Sequence, residues 1–192
     1  MTPHRIRPAC AAFSLAFVAA CGDGDAPPPA VAKYVGTWVS SCDGSGLVAD
    51  ARPDQELKAV DRIDVNWAGD DRLEFRTVRR LYAAADCTGT PVATLDNHGA
   101  GNRYTLRGSA QVDGAAVDRV DIDMDALGGP EASGTQVVGG VRYPGDFFVA
   151  SVAGARDVFA LGADGLRFGT GDAVDADGYP VALDAGRVLR RQ

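Results

Sequence analysis

Residues 104–124, YTLRGSAQVDGAAVDRVDIDM, carry the clearest folding signal in the chain. Two segments that favour extended backbone, 104–112 and 115–124, lie on either side of Asp113-Gly114. An Asp-Gly pair in this position is typical of a tight β-hairpin, because both residues tolerate the positive φ angles that a two-residue turn requires. Acidic and apolar residues alternate from 120 to 124, which is the period of a strand with one buried face. This stretch therefore predicts two antiparallel strands joined by a turn.

Short apolar segments separated by turn residues continue along the chain, and no segment after residue 33 has a sustained helical period. Asp164-Gly165 predicts a second hairpin. The apolar period slips before Val78, which suggests a β-bulge. We predict an all-β fold, an antiparallel barrel or sandwich of about eight to ten short strands. The candidate segments for these strands lie at 34–42, 57–67, 73–82, 88–95, 104–112, 115–124, 147–152, 158–161, 166–168, 181–183 and 188–189, with a weak strand near 137–138 in a long loop at 126–146.

The composition excludes several classes of protein. The 192 residues carry 19 Lys and Arg against 26 Asp and Glu, which gives a net charge of −7 and a pI of about 4.7. Such a chain lacks the basic surface that binds nucleic acid. Hydrophobic residues make up 46% of the sequence, enough for a globular core, and no apolar segment is long enough to cross a bilayer as a helix.

Residues 1–20, MTPHRIRPACAAFSLAFVAA, have the layout of a secretory signal peptide, with early arginines, an apolar segment and small residues before Cys21. The ending Val18-Ala19-Ala20-Cys21 resembles the lipobox of bacterial lipoproteins, in which the cysteine is acylated and becomes the first mature residue. The alternative is an ordinary signal peptide, with Cys21 incidental. The resemblance implies acyl chains such as palmitate on Cys21 and stable anchoring, since two or more acyl chains hold a protein on a membrane.

The residues after Cys21 predict where the protein is held. An Asp directly after the cysteine resembles an inner-membrane retention signal, and here the position is Gly22. The resemblance therefore implies the outer membrane, with the protein facing the periplasm. Pro27, Pro28 and Pro29 favour an extended stretch, which is either a tether or simply an unstructured start. We predict a signal peptide at 1–20, a lipidated cysteine with a Pro-rich tether at 21–32, and a β-domain at 33–192.

The cysteines predict one disulfide. Cys10 lies in the predicted signal peptide and Cys21 in the predicted anchor, which leaves Cys42 and Cys87. A cysteine pair in an exported protein is most simply a disulfide. Metal binding by these two residues is disfavoured, because neither a Cys-x-x-Cys motif nor a histidine cluster accompanies them.

Gly36-Thr37-Trp38, on the first predicted strand, resembles the G-x-W signature of lipocalins and their bacterial relatives. In that family the Trp packs across the closed end of a barrel, and a basic residue near the last strand stacks over it. The resemblance implies that Gly36 and Trp38 pack this end, with Arg187 or Arg190 over the indole, and that the ligand is a small apolar molecule. The alternative is that Trp38 is a core aromatic residue of an unrelated sandwich.

Acidic residues recur in three places, of which 118–125 is the densest. On a strand, the carboxylates at 121, 123 and 125 share one face, and calcium binds several such oxygens. The spacing lacks the Gly and Glu of an EF-hand loop, so we favour a solvated strand face and predict no metal. Arg119 or Arg107 on the hairpin would offset the repulsion. The other acidic groups lie in turn-rich segments and comprise Asp43, Asp50, Asp54, Asp172, Asp175 and Asp177.

Neither histidine nor serine forms a catalytic pattern. His98 lies in a turn-like segment, Asp96-Asn97-His98-Gly99, and no G-x-S-x-G motif is present. The aromatic residues either line a ligand cavity or fill the core, and we favour the core. They are Trp67, Phe75, Tyr82, Phe147, Phe148, Phe159 and Phe168.

These observations predict a lipid-anchored envelope protein, not an enzyme, whose β-domain binds a small ligand or an envelope component without a cofactor. The expected partners are the membrane, through the anchor, and a small apolar ligand. The alternative is a structural or assembly accessory that contacts another envelope protein through an edge strand or the loop at 126–146.

Overall fold

The structure is a computed structural model that describes residues 26–49, 51–97, 103–123, 135–138, 141–144 and 155–192. These residues form one short helix, α1 (Pro29–Ala32), and twelve strands, which confirms the all-β prediction. The strands are β1 (Gly36–Ser40), β2 (Asp43–Ala49), β3 (Arg52–Trp67), β4 (Arg72–Tyr82), β5 (Ala93–Asn97), β6 (Arg103–Val112), β7 (Ala115–Asp123), β8 (Thr135–Val138), β9 (Val141–Pro144), β10 (Ala155–Gly162), β11 (Gly165–Phe168) and β12 (Leu189–Arg191).

Eight of the strands close into an antiparallel barrel. Around the ring they run in chain order, β1, β3, β4, β6, β7, β10, β11 and β12, and β12 pairs again with β1. The two predicted hairpins are both present, as β6–β7 and β10–β11. The sequence predicted either a barrel or a sandwich, and the closed ring shows that the fold is a barrel. Because the ring is closed, every strand in it is paired on both sides.

The other strands form an extension outside the ring. β3 and β4 make one ladder of ten residue pairs, and its turn end belongs to the barrel. Its far end is flanked by β2 on one side and β5 on the other, and β9 and β8 continue beyond β2. We call β2, β5, β8, β9 and the far halves of β3 and β4 the extension sheet.

Aromatic residues fill the described part of the barrel. On β3, Ile63 and Val65 face the interior and Arg62 faces solvent, as the strand period requires. Phe159 is 0% exposed and lies among the rings of Tyr34, Phe75, Tyr104 and Phe168, with centroid distances of 5.3 to 5.6 Å. Burying each such side chain contributes about 1.5–3 kcal/mol. The expectation that Phe75, Phe159 and Phe168 pack in the core is confirmed.

The extension sheet has a smaller core of its own. Among the side chains that the structure describes, its buried members are all aliphatic, namely Leu47, Leu57, Ala59, Leu81 and Val141. A third apolar cluster lies on the outside of the barrel, where Tyr179 and Leu183 cover Val117 and Val158.

The predicted bulge before Val78 is wrong. β4 keeps an unbroken register with β3 from Leu73 to Tyr82. The apolar period breaks because Arg79 occupies an inward position, where its guanidinium pairs with the carboxylate of Asp61. A register shift occurs instead in the β6–β7 hairpin, between Leu106 and Gly108.

Three predicted boundaries also differ. The segment 43–54, expected as a polar loop, contains β2, whose register to β3 shifts twice. Residues 88–92 are not strand, because Thr88 folds back onto the carboxylate of Asp86 and β5 begins at Ala93. The folded part begins before Lys33, since Val31 of α1 is 1% exposed within the barrel core.

The last two predicted strands differ from the observed ones in opposite ways, since 181–183 is not a strand and the strand predicted at 188–189 extends to Arg191. Within 181–183 only Leu183 forms a bridge, to Gly169, and β12 comprises Leu189–Arg191. The weak strand near 137–138 is confirmed as β8. The strand predicted at 147–152 lies outside the described residues. Within the part of the chain that the structure describes, no helix has the length and apolar character needed to cross a membrane.

Candidate functional site

The end of the barrel that α1 covers is built around Trp38. Its side chain is 2% exposed, and its indole Nε1 donates a hydrogen bond of 2.7 Å to the carbonyl of Tyr34. Gly36 has a φ of 138°, a conformation open to glycine and strained for other residues, which explains the glycine of the G-x-W motif. Trp38 therefore packs in the core at this barrel end.

The cation over Trp38 is Arg191, not Arg187 or Arg190. The guanidinium of Arg191 lies 4.7 Å from the indole centroid, because Trp38 and Arg191 are directly paired between β1 and β12. Arg190 pairs with Val39 and is exposed. Arg187 lies before β12, 5.8 Å from the ring of Phe168, and its guanidinium pairs with Asp61. The sequence correctly predicted a cation stacked on Trp38, but the residue is Arg191, one position after the predicted Arg190.

A polar network joins α1 to the barrel wall. The carboxylate of Asp118 accepts hydrogen bonds from the Tyr34 hydroxyl at 2.7 Å and from the Ser109 hydroxyl at 2.9 Å, and Lys33 Nζ lies 2.6 Å away. Burial works to raise the pKa of Asp118, but the bonds from Lys33, Tyr34 and Ser109 outweigh it and hold the pKa below its usual value. Burial and the bond to Asp118 raise the pKa of Tyr34. The network fixes Lys33 at the rim of this barrel end.

A groove of about 600 Å³ opens beside these residues. Its walls are the β10–β11 turn, β12 and the chain just after α1. Gly165 lets this turn approach β12 closely, because a Cβ there would lie 2.2 Å from the carbonyl oxygen of Leu189. The lining combines an aromatic and an aliphatic side chain with three cations and one acid, namely Trp38, Leu161, Lys33, Arg190, Arg191 and Asp164.

A second ionic group lies inside the barrel wall, where β3 changes its partner from β1 to β2. Asp61 is 4% exposed and accepts two hydrogen bonds from Arg79, at 2.7 and 2.8 Å, and one from Arg187 at 2.6 Å. Burial works to raise the pKa of Asp61, but the two guanidiniums outweigh it and hold the pKa below its usual value. The carboxylate of Asp61 is fully paired with guanidinium groups, which suits a structural role.

Asp157 is a third inward carboxyl group. It accepts hydrogen bonds from the backbone N–H groups of Val158 at 2.7 Å and Gly169 at 2.8 Å. Burial raises its pKa to about 6, and these bonds and the charge of Arg187 offset only part of that effect.

The predicted disulfide is confirmed, with Cys42 bonded to Cys87. It joins the chain between β1 and β2 to the connection between β4 and β5. The disulfide therefore links the β2 side of the extension sheet to its β5 side. This position makes it a structural staple.

The acidic clusters are occupied by arginine and backbone groups. Arg107 Nε lies 2.6 Å from Asp121, as expected for an arginine across the hairpin. The Tyr179 hydroxyl donates to Asp121 at 2.9 Å, and Arg119 pairs with Asp175 and Asp177. Tyr179 and the arginines cover part of Asp121, whereas Asp123 on the same strand face is exposed, as the prediction of a solvated face requires. In the described ranges no three His, Cys, Asp or Glu side chains are grouped so as to hold a metal ion.

Several predicted residues lie outside the described residues. They are Cys21, Asp50, His98, Asp125, Phe147 and Phe148.

The fold and the groove define the protein as an eight-stranded, helix-capped antiparallel barrel with a cationic groove at the capped end. No protein-family model, curated protein or solved structure matches the chain.

Sequence reasoning missed Lys33, Asp118 and Arg191. Lys33 was assigned to the start of the domain with no role, and Asp118 was counted in the acidic cluster at 118–125 without a role of its own. The signal for Asp118 was available, because Asp118 and Val120 share a strand face by the period of two. Arg191 depends on the register between β12 and β1, which the sequence does not reveal.

Proposed function

We propose that this protein is a lipid-anchored lipoprotein of the bacterial outer membrane, facing the periplasm, whose barrel binds an anionic component of the envelope. The observation that carries the proposal is the groove at the α1 end, where Lys33, Arg190 and Arg191 surround Trp38. The lipobox resemblance at Cys21 supports the anchor.

The distribution of groups favours a surface ligand over an apolar molecule in the barrel. The described interior is occupied by packed rings around Phe159, whereas the groove is lined by charged and aromatic groups at the protein surface. Guanidinium groups bind anionic oxygens in a forked geometry, and a stacked guanidinium is held ready to do so. The proposed chemistry is therefore recognition, with no catalytic step.

A second candidate is an accessory that contacts another envelope protein through a strand. Within the described strands, β5 and β8 are the two ends of the sheet order, and each has one neighbour. Such edges pair readily with a strand of another chain.

The anchor is tested by metabolic labelling with a palmitate analogue. We expect label on the wild-type protein and on Cys10→Ala, and none on Cys21→Ala, because only Cys21 occupies the lipobox position. Cys10→Ala is the matched control, since it removes the cysteine inside the predicted signal peptide and leaves Cys21 in place. Label that persists in Cys21→Ala, or a wild-type protein that stays unprocessed in the cytosol, would contradict the anchor.

The groove is tested by sedimentation of the unlipidated Cys21→Ala protein with isolated envelope membranes. We expect Arg190→Glu in this background to reduce the bound fraction by at least about fivefold, because each cation near a membrane surface contributes about 1 kcal/mol. Arg80→Glu makes the same charge change on the exposed outer side of β4 and should bind as the parent does. Equal binding by all three proteins would refute the groove.

A further inference from the structure

Two cations of the groove have no acidic partner. Within the described residues, Arg190 has no ion pair and Arg191 has none, although Arg191 donates a hydrogen bond to the carbonyl of Lys33. The one acid in the lining, Asp164, is paired with Arg167. The groove therefore presents two uncompensated guanidiniums within an acidic protein.

We propose that this groove binds the phosphate of a membrane lipid headgroup, so that the α1 end of the barrel docks on the membrane that carries its anchor. This inference rests on the proposed function and names its ligand class. Two adjacent arginines supply forked donors that match phosphate oxygens.

The remaining lining fits the rest of a lipid headgroup. Leu161, which is half-buried, offers apolar surface beside the cations, and the buried indole of Trp38 supports Arg191. A volume of about 600 Å³ exceeds what a phosphate alone needs and leaves space for the glycerol portion. The guanidinium of Arg191, 4.7 Å above the indole, is held in place by that contact, which lowers the entropy lost when a ligand binds.

Chain connectivity brings the groove to the membrane. From Cys21 to Lys33 the chain spans at most about 40 Å when fully extended. A lipid surface within this distance is present at a high effective concentration, so a weak site is occupied once the anchor is inserted.

The net negative charge of the protein limits the mode of docking. Adsorption of a broad face to an anionic membrane is opposed by the acidic surface. Binding of one headgroup in a local cationic groove avoids most of this repulsion, since exposed charges more than about 10 Å apart are screened at physiological salt.

The test uses vesicles of defined composition and the Cys21→Ala protein, so that binding does not depend on acylation. The vesicles contain phosphatidylcholine with phosphatidylglycerol, and the variants are Arg190→Glu and the matched control Arg80→Glu. We expect the parent and Arg80→Glu to bind, and Arg190→Glu to bind at least about fivefold more weakly. The parent and both variants carry the same leader and the same Cys21→Ala change, so a difference in binding is due to the substituted arginine.

A second arm separates lipid from free phosphate. The side-chain N–H resonance of Arg190 is followed by NMR during titration with inorganic phosphate alone. A shift with phosphate but no Arg190-dependent vesicle binding would overturn lipid docking in favour of a soluble ligand. Equal weakening by both variants would also overturn it, because net charge alone would then explain binding. If the Cys21→Ala protein binds envelope membranes through Arg190 but binds neither vesicle nor phosphate, this inference fails and the proposed function stands.

Discussion

The barrel and the extension sheet share the β3–β4 ladder but are stabilised in different ways. The barrel has paired strands all around its ring, and its core contains the packed rings of Tyr34, Phe75 and Phe159. The extension sheet ends at the edge strands β5 and β8, and its described buried residues are Leu, Ala and Val. The disulfide joins its β2 side to its β5 side. The same two strands thus pass from a region held by closure and aromatic packing to one held by a small core and a covalent bond.

This difference suggests that the barrel carries the binding groove and that the extension sheet is not needed to hold the groove in place. The groove lies at the α1 end of the barrel, on walls provided by β10, β11 and β12, which have no pairing with the extension sheet. A binding site benefits from rigid supporting strands. We therefore expect the extension sheet to loosen without disturbing the groove.

The largest effect is expected from Phe159→Ala. Removing a buried ring at the centre of the barrel should lower the free energy of unfolding by about 3–5 kcal/mol. Tryptophan fluorescence during urea unfolding measures this directly, because both tryptophans pack in the barrel core cluster. Leu81→Ala, in the extension sheet, is the comparison and should leave the fluorescence midpoint nearly unchanged. Equal shifts would show that the two regions unfold as one unit.

Asp61→Ala should cost about 3–5 kcal/mol, because it removes the carboxylate shared by two guanidiniums at the point where the regions meet. The matched control is Asp64→Ala on the same strand, whose pairing with Arg62 is more exposed and contributes about 0–1 kcal/mol. Urea unfolding of the two variants separates the buried ion pair from the exposed one. A loss below about 1 kcal/mol for Asp61→Ala would mean that the ionic group does not secure the junction.

Replacing both Cys42 and Cys87 by Ser should cost up to about 4 kcal/mol, since the bond closes a separation of 45 residues. We expect the loss to appear first as faster tryptic cleavage after Lys58, in the extension half of β3. Wild-type protein treated with a reductant should behave like the double variant. Proteolysis that begins in β10 or β11 instead would show that the disulfide stabilises the barrel rather than the extension sheet.

Asp157→Asn should alter the pH dependence of stability. In the folded protein burial raises the pKa of Asp157 to about 6, above its unfolded value of about 4. Between these pH values the folded state holds a proton that the unfolded state releases, so the Asp157 contribution to stability falls as pH rises and stays low above pH 6. Asn removes this loss, at most about 3 kcal/mol. Urea midpoints near pH 4 and pH 7 should diverge less in the variant than in the wild type, and identical profiles would contradict the burial of this carboxyl group.

Local signals in the sequence predicted the hairpins at Asp113-Gly114 and Asp164-Gly165 and the pairing of Cys42 with Cys87. These depend on turn chemistry and on cysteine count. β2 was not predicted, because its Gly- and Ser-containing sequence has no strand period and its place is set by pairing with β3 and β9. Long-range pairing thus decided this strand.

The inward Arg79 and the stacked Arg191 show a second limit. Arg79 is half-buried and faces inward because it pairs with Asp61, which lies 18 residues earlier on the neighbouring strand. Its position therefore breaks the apolar period and mimics a bulge. Arg191 meets Trp38 only through the register of β12 on β1. A shift of one residue exchanges which side chain faces inward, and no local pattern reports that register.

The division between the regions is tested most directly by native-state hydrogen exchange on the unmodified oxidised protein. We expect the amides of β6, β7 and β10 to exchange only through global unfolding, and those of β2 and β9 to exchange through openings of lower free energy. Equal opening free energies in the barrel and the extension sheet would contradict two unequally stabilised regions and the independence of the groove from the extension.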